Sequence, residues 1–174
     1  MKWILPICLI LLICQNCTPK ASRLDQILRL EDETEIVIQI GQALWEKADG
    51  DDQLGPLNEF EKNVLYIEML EGQVNNGGFE QYFFNNSGAY AHETLRALQA
   101  IKAPKVAALL QQAIKAFPTT PIPKDVEKRR EFMDELPQEI KDIWNNIDEA
   151  FYTYPENLTE LVISYVRKNA KEFQ

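Results

Sequence analysis

Beyond about residue 30, apolar side chains return at every third or fourth position and hardly ever at every second, a spacing that confines the chain to helices. Ile36, Ile40 and Leu44 recur at intervals of four, with Val37 beside them. Phe60, Val64, Ile67 and Leu70 repeat the pattern, and Val106, Leu109, Leu110, Ala113, Ile114 and Phe117 make its cleanest stripe. Ile140, Ile143, Trp144, Ile147 and Phe151 mark a further helix, and Leu158, Leu161, Val162, Tyr165 and Val166 the last. Punctuation agrees with periodicity. Asn58 suits an N-cap, Pro104 a first turn, and the acidic run before Ile36 the positive end of a helix dipole. Gly50 to Pro56 and Pro118 to Pro123 interrupt the pattern. Asp125 and Arg129, four apart on a charged helix, read as a surface ion pair. The expectation is an all-α fold, a compact single-domain array of about seven or eight helices.

Ahead of this domain, Trp3 to Ile13 is apolar and uncharged behind Lys2. The run falls short of the ~20 residues of a spanning helix and lacks the polar face of a core helix. A signal segment is therefore expected over 1–16. Cys14-Gln15-Asn16-Cys17-Thr18 resembles the processing region of bacterial lipoproteins, with Cys17 the residue acylated after the cut. Residues 17–30 then form a tether and first helix, and 31–174 the acidic domain. Cys8, Cys14 and Cys17 are the only cysteines, so the domain relies on its core and not on disulfides. The expected address is the cell envelope, reached through a lipid anchor in a membrane; plain secretion or a periplasmic location is the alternative.

Charge narrows the partners. With 18 basic and 27 acidic side chains the net charge is −9, which repels phosphates, so direct nucleic-acid binding is not expected. His92 is the only histidine, and without domain cysteines a zinc site has little to draw on. Phosphate loops, a serine elbow and a calcium loop are absent from the sequence. No catalytic residue, cofactor or metal is expected. Glu68 and Glu71 can share a helix face, but in so acidic a chain such pairs arise by chance. Acidic clusters that qualify as a binding face are Glu31, Asp32, Glu33 and Glu35; Asp49, Asp51 and Asp52; and Asp134, Glu135 and Glu139. Taken singly, each reads first as a solvated helix surface.

The densest local signal runs from Asn75 to Gly88. Its asparagines and glycines permit left-handed backbone, and Asn76 or Gly77 is expected to absorb unusual dihedrals in a tight turn. Phe79, Tyr82 and Phe83 then read as core aromatics before they read as a ligand pocket. Asn75, Asn76, Gly77, Gly78, Phe79, Gln81, Tyr82 and Phe83, in the block Val74 to Asn85, resemble the signature of a bacterial domain family that includes DNA-mimic proteins. The likeness continues through Ala116-Phe117-Pro118 and Asp125 with Arg129 to Leu161–Phe173. It implies an all-helical fold, often a homodimer, with an acidic face, and it carries over no catalytic residue. The expected function is a non-enzymatic acidic module that binds another envelope protein, one with a basic surface. DNA mimicry, the occupation of the basic groove of a nucleic-acid-binding protein, is the alternative. An export leader separates this chain from mimics that act on cytoplasmic transcription factors. An envelope enzyme with a pocket near Asn75 to Tyr82 comes third.

Overall fold

Most helix starts fall where a side chain can take up the first unpaired amides; the helices that begin at Ala91 and Gln138 are the exceptions. The computed structural model describes residues 21–50 and 54–173; the leader, Cys17, Asp51 and Asp52 lie outside them. Ser22 caps α1 (Arg23–Ile27), and Asp32 caps α2 (Glu33–Ala48), accepting from the amides of Thr34 and Glu35. Asn58 caps α3 (Glu59–Phe84), and Glu61 returns the bond to the Asn58 amide. A 3-10 turn (Asn86–Tyr90) leads into α4 (Ala91–Ala100). Asp125 caps α6 (Val126–Asp134), and Asn157 caps α8 (Leu158–Lys168). Between them run α5 (Pro104–Ala116), with Pro104 in its first turn, and α7 (Gln138–Phe151). Lacking a local cap, α5 borrows one: Glu156 Oε2 accepts from the amides of Lys105 and Val106 at 3.0 and 2.9 Å. A last 3-10 turn covers Ala170–Glu172. The fold is all-α, with eight helices and no strand among the described residues.

At the centre lies α3, packed against α2, α4, α6, α7 and the first 3-10 turn. Its buried face runs Val64, Leu65, Ile67, Leu70, Val74, Phe79, Tyr82 and Phe83. The last of these meets Trp144 at 5.0 Å and Phe117 at 5.3 Å between ring centroids. The Trp144 indole does not forfeit its donor on burial, because Nε1 bonds to Ala113 O at 3.1 Å. The outer helix α2 is tied to α3 by an ion pair from Lys47 to the buried Glu61, at 2.7 Å. No helix of the described residues is long and apolar enough to cross a membrane.

One expectation fails here. Arg129 does not pair with Asp125 on the surface; it is completely buried, and Asp125 is occupied in capping α6. The spacing of four allows a surface pair, but the packing of α6 on the end of α3 gives the guanidinium better acceptors inside.

Candidate functional site

The signature block is a break in α3 that neighbouring helices repair. Gly77 (φ −164°) is extended, while Gly78 takes φ +68° and ψ −172°, a region that essentially only glycine occupies. Of the two positions expected to take unusual dihedrals, Gly77 leaves the helical region and Asn76 does not, and the left-handed residue itself is the next one, Gly78. A Cβ at Gly78 would collide with the Asp148 carboxylate, so the close approach also demands glycine. Broken turns strand amides and carbonyls, and two residues four apart serve both kinds, one in α7 and one just beyond its end. Asp148 Oδ1 accepts from the Phe79 N–H at 2.8 Å, and the Tyr152 hydroxyl donates to Val74 O at 2.9 Å. Burial, aided by the charges of Glu149 and Glu80, pushes the Asp148 carboxyl up to about 6 despite the opposing Phe79 bond.

The far end of the segment is held by α6. Arg129 donates from Nε to Phe83 O and from Nη2 to Asn85 O, both at 2.6 Å, and from Nη1 to Pro123 O at 2.7 Å. Beside it, Arg130 reaches Phe84 O at 3.2 Å and lies over the Phe84 ring, 4.5 Å from its centroid. Side-chain amides span the break outside: Asn76 to Gln81 at 3.0 Å, Gln81 to Gln73 at 2.9 Å, Asn85 to Gln73 at 2.7 Å. Inside, Phe79, Tyr82 and Phe83 are all shut off from solvent, and the Tyr82 hydroxyl donates to the Thr94 hydroxyl at 2.9 Å.

Two to three turns earlier, α3 carries a different kind of site. A groove of about 200 Å³ opens between α2, α3 and α8, walled by Val37, Ile67, Leu158 and Val162 and edged by Glu68, Glu71 and Asn75. Glu68 Oε1 accepts from the Trp45 indole at 3.3 Å. Its other oxygen, Oε2, is shielded from solvent and has no partner within the protein. Gly41 of α2 makes room for this carboxylate, since a Cβ there would strike it. Burial raises the pKa of both Glu68 and Glu71, and neither forms an ion pair among the described residues. On the same flank α2 exposes Ile38 and Trp45, seven residues apart. Two acceptors without a cation, set in apolar walls, suit a basic group on an apolar stem.

The acidic clusters stand elsewhere. Glu31, Asp32, Glu33 and Glu35 are exposed at the start of α2, and Asp134, Glu135 and Glu139 are exposed where α6 gives way to α7. These helices have different neighbours: α2 lies on α1, α3 and α8, α6 on α3 and α7 on α3 and α5. Asp49 closes α2, about 24 Å along the helix from its start, so it does not join the first cluster. Half-buried His92 keeps Nε2 enclosed without a partner. No group of three or more metal-ligating side chains occurs among the described residues. Sequence reasoning passed over Asp148 and Tyr152. The readable signal was a carboxylate on the apolar stripe of Trp144, Ile147 and Phe151.

A family model described as DMP19-like protein matches residues 55–169. Searches of curated proteins and of solved structures returned no match. The matched stretch holds the broken helix, Asp148, Arg129 and the two groove carboxylates, whereas the α2 wall lies outside it. On that match the chain belongs to the DMP19-like protein family.

Proposed function

We propose that this protein is a non-enzymatic, acidic protein-binding module, exported and held at the cell envelope through acylated Cys17. Its partner presents a basic side chain to the groove of Glu68 and Glu71. The observation that carries this reading is Glu68 Oε2, enclosed and unpartnered beside exposed Trp45. A buried carboxylate oxygen without a donor is costly in the free protein. An incoming ammonium or guanidinium supplies the donors and the opposite charge together. Such binding weakens as pH falls, because both carboxyl groups, with pKa values raised above 4.5, take up protons and lose their attraction for a cation.

The test is capture of the partner from solubilised envelope with the full chain, beside the Glu68→Gln, Glu71→Gln double variant. Removing two poorly compensated charges leaves the fold intact, so the variant should keep its melting temperature and lose the partner. Equal capture by both proteins would place the interface elsewhere. Incorporation of labelled palmitate, abolished by Cys17→Ala, tests the anchor separately.

DNA mimicry is the second reading, favoured by family membership and by the exposed carboxylates at the start of α2 and at the α6–α7 junction. It predicts binding to a basic DNA-binding surface that falls steeply with salt and that duplex DNA displaces. Salt-insensitive binding that DNA cannot displace would eliminate mimicry for that partner.

A further inference from the structure

Where α3 begins, α4 ends and α8 passes, two cavities of about 350 and 290 Å³ adjoin and share Glu59, Asn63 and Ala100. Their cations are the anomaly. Lys102 and Lys168 line the larger cavity and Lys62 the smaller, and none of the three forms an ion pair among the described residues. In a chain with 27 acidic against 18 basic side chains, the two linings together carry four cations, Lys62, Arg96, Lys102 and Lys168, against two carboxylates, Glu59 and Glu93, which reverses the overall balance. Glu59 is the only carboxylate lining the larger cavity, and Arg96 in the smaller is already engaged by Glu93 at 3.5 Å.

Helix ends favour cations at both α4 and α8, which accounts for charge at these positions but not for the backbone at Lys102. Lys102 sits just beyond α4 with φ +66°, while Ala103 N–H reaches back to Leu98 O at 2.8 Å. That position in a helix-ending motif ordinarily belongs to glycine. A lysine there is retained against its own conformational preference.

The remaining lining is half polar donor and half apolar floor. The Tyr165 hydroxyl accepts from Asn63 Nδ2 at 3.0 Å, which leaves its own proton free to give. Burial raises the Tyr165 pKa, so the phenol stays a donor at neutral pH. Phe60 stacks on the Tyr165 ring at 6.2 Å between centroids, and Leu161 extends the apolar floor. The volume falls in the range of small-molecule sites.

We propose that this cleft is a binding site, distinct from the carboxylate groove, for an organic anion that joins a carboxylate or phosphate to an apolar body. Lys102 and Lys168 meet the charge, the Tyr165 hydroxyl donates to it, and Phe60 and Leu161 hold the apolar part. A free metabolite and an anionic lipid headgroup both offer this chemistry.

Calorimetric titration of the full chain with phenyl phosphate, and co-sedimentation with phosphatidylglycerol against phosphatidylcholine vesicles, separate the two sources. Lys102→Gly and Lys168→Gln should each weaken binding about tenfold, the loss expected for one charge-assisted hydrogen bond. Lys102→Gly relieves the left-handed strain and should raise the melting temperature, so its lost affinity cannot be blamed on unfolding. Saturable phenyl phosphate binding that both variants weaken establishes a soluble anion. Phosphatidylglycerol binding with the same losses, and none of phenyl phosphate, establishes a headgroup. Inorganic phosphate binding as tightly as phenyl phosphate overturns the apolar half. Absence of binding to either probe, or binding that neither variant changes, overturns the site.

Discussion

Within three turns of one helix, α3 meets carboxylates in opposite circumstances. At the break, Asp148 has a backbone N–H waiting for it, and the carbonyl ends beyond are taken up by Tyr152 and Arg129. In the groove, Glu68 has one distant indole on one oxygen and nothing on the other. Both groups are largely buried and both pKa values are raised by burial. The difference lies in how completely polar groups are matched. A matched network closes a structure on itself, whereas an unmatched acceptor leaves a surface to be completed from outside. The break is thus read as architecture and the groove as a place of contact.

The largest test of this contrast is Arg129→Met. Four backbone carbonyls lose a guanidinium donor together, and only Asn85 O keeps another, the Gly88 N–H; at ~1–3 kcal/mol for each carbonyl left bare, urea unfolding should show a loss of at least about 3 kcal/mol. A near-neutral result would mean that α6 does not hold the end of α3. Gly78→Ala comes next, at about 2–3 kcal/mol, because alanine must adopt φ +68° and push aside the Asp148 carboxylate.

The third test is a pH dependence. Asp148 is raised from 3.8 to about 6 in the folded protein, so the folded state holds its proton more tightly than the unfolded chain. The stability it contributes is greatest below pH 3.8 and is lost as pH rises through 6. Asp148→Asn keeps an acceptor for the Phe79 N–H and should flatten stability against pH over that interval. Comparing thermal melts of the two proteins isolates this group from Glu68 and Glu71, which titrate in the same direction. An unchanged slope would show that Asp148 is not the group responsible.

The smallest effect sharpens the comparison most directly. Gly72 lies on the exposed side of α3 at the groove, with open space where a Cβ would stand. Gly72→Ala should stabilise by about 0.5–1 kcal/mol through helix propensity, measured by urea unfolding. Two glycines six residues apart on one helix should therefore respond with opposite signs. If Gly78→Ala also stabilised, the account of the break would fall.

Local order was legible in the chain because helix periodicity and capping depend on neighbours within four residues. Ile36, Ile40 and Leu44 are buried along α2, Asn58 and Pro104 stand at the helix starts they suggested, and Phe79, Tyr82 and Phe83 lie in the core. The all-α class followed from the same spacing. Partner choice among buried polar groups was not legible, because it depends on which helices meet. Asp125 and Arg129 have the spacing of a surface pair, yet only the docking of α6 on the end of α3 exposed the carbonyls that draw Arg129 inside. The asparagine–glycine run announced an unusual backbone; Asp148, some seventy residues away, decided that Gly78 carries it. Glu68 and Glu71 stand three apart in the sequence like many acidic pairs, and nothing local distinguishes them. Gly41 and Trp45 of α2 close over Glu68, and that non-local packing turns one pair among many into a desolvated site. Short-range sterics write a helix into its own residues, but desolvation and hydrogen-bond matching are properties of the assembled neighbourhood.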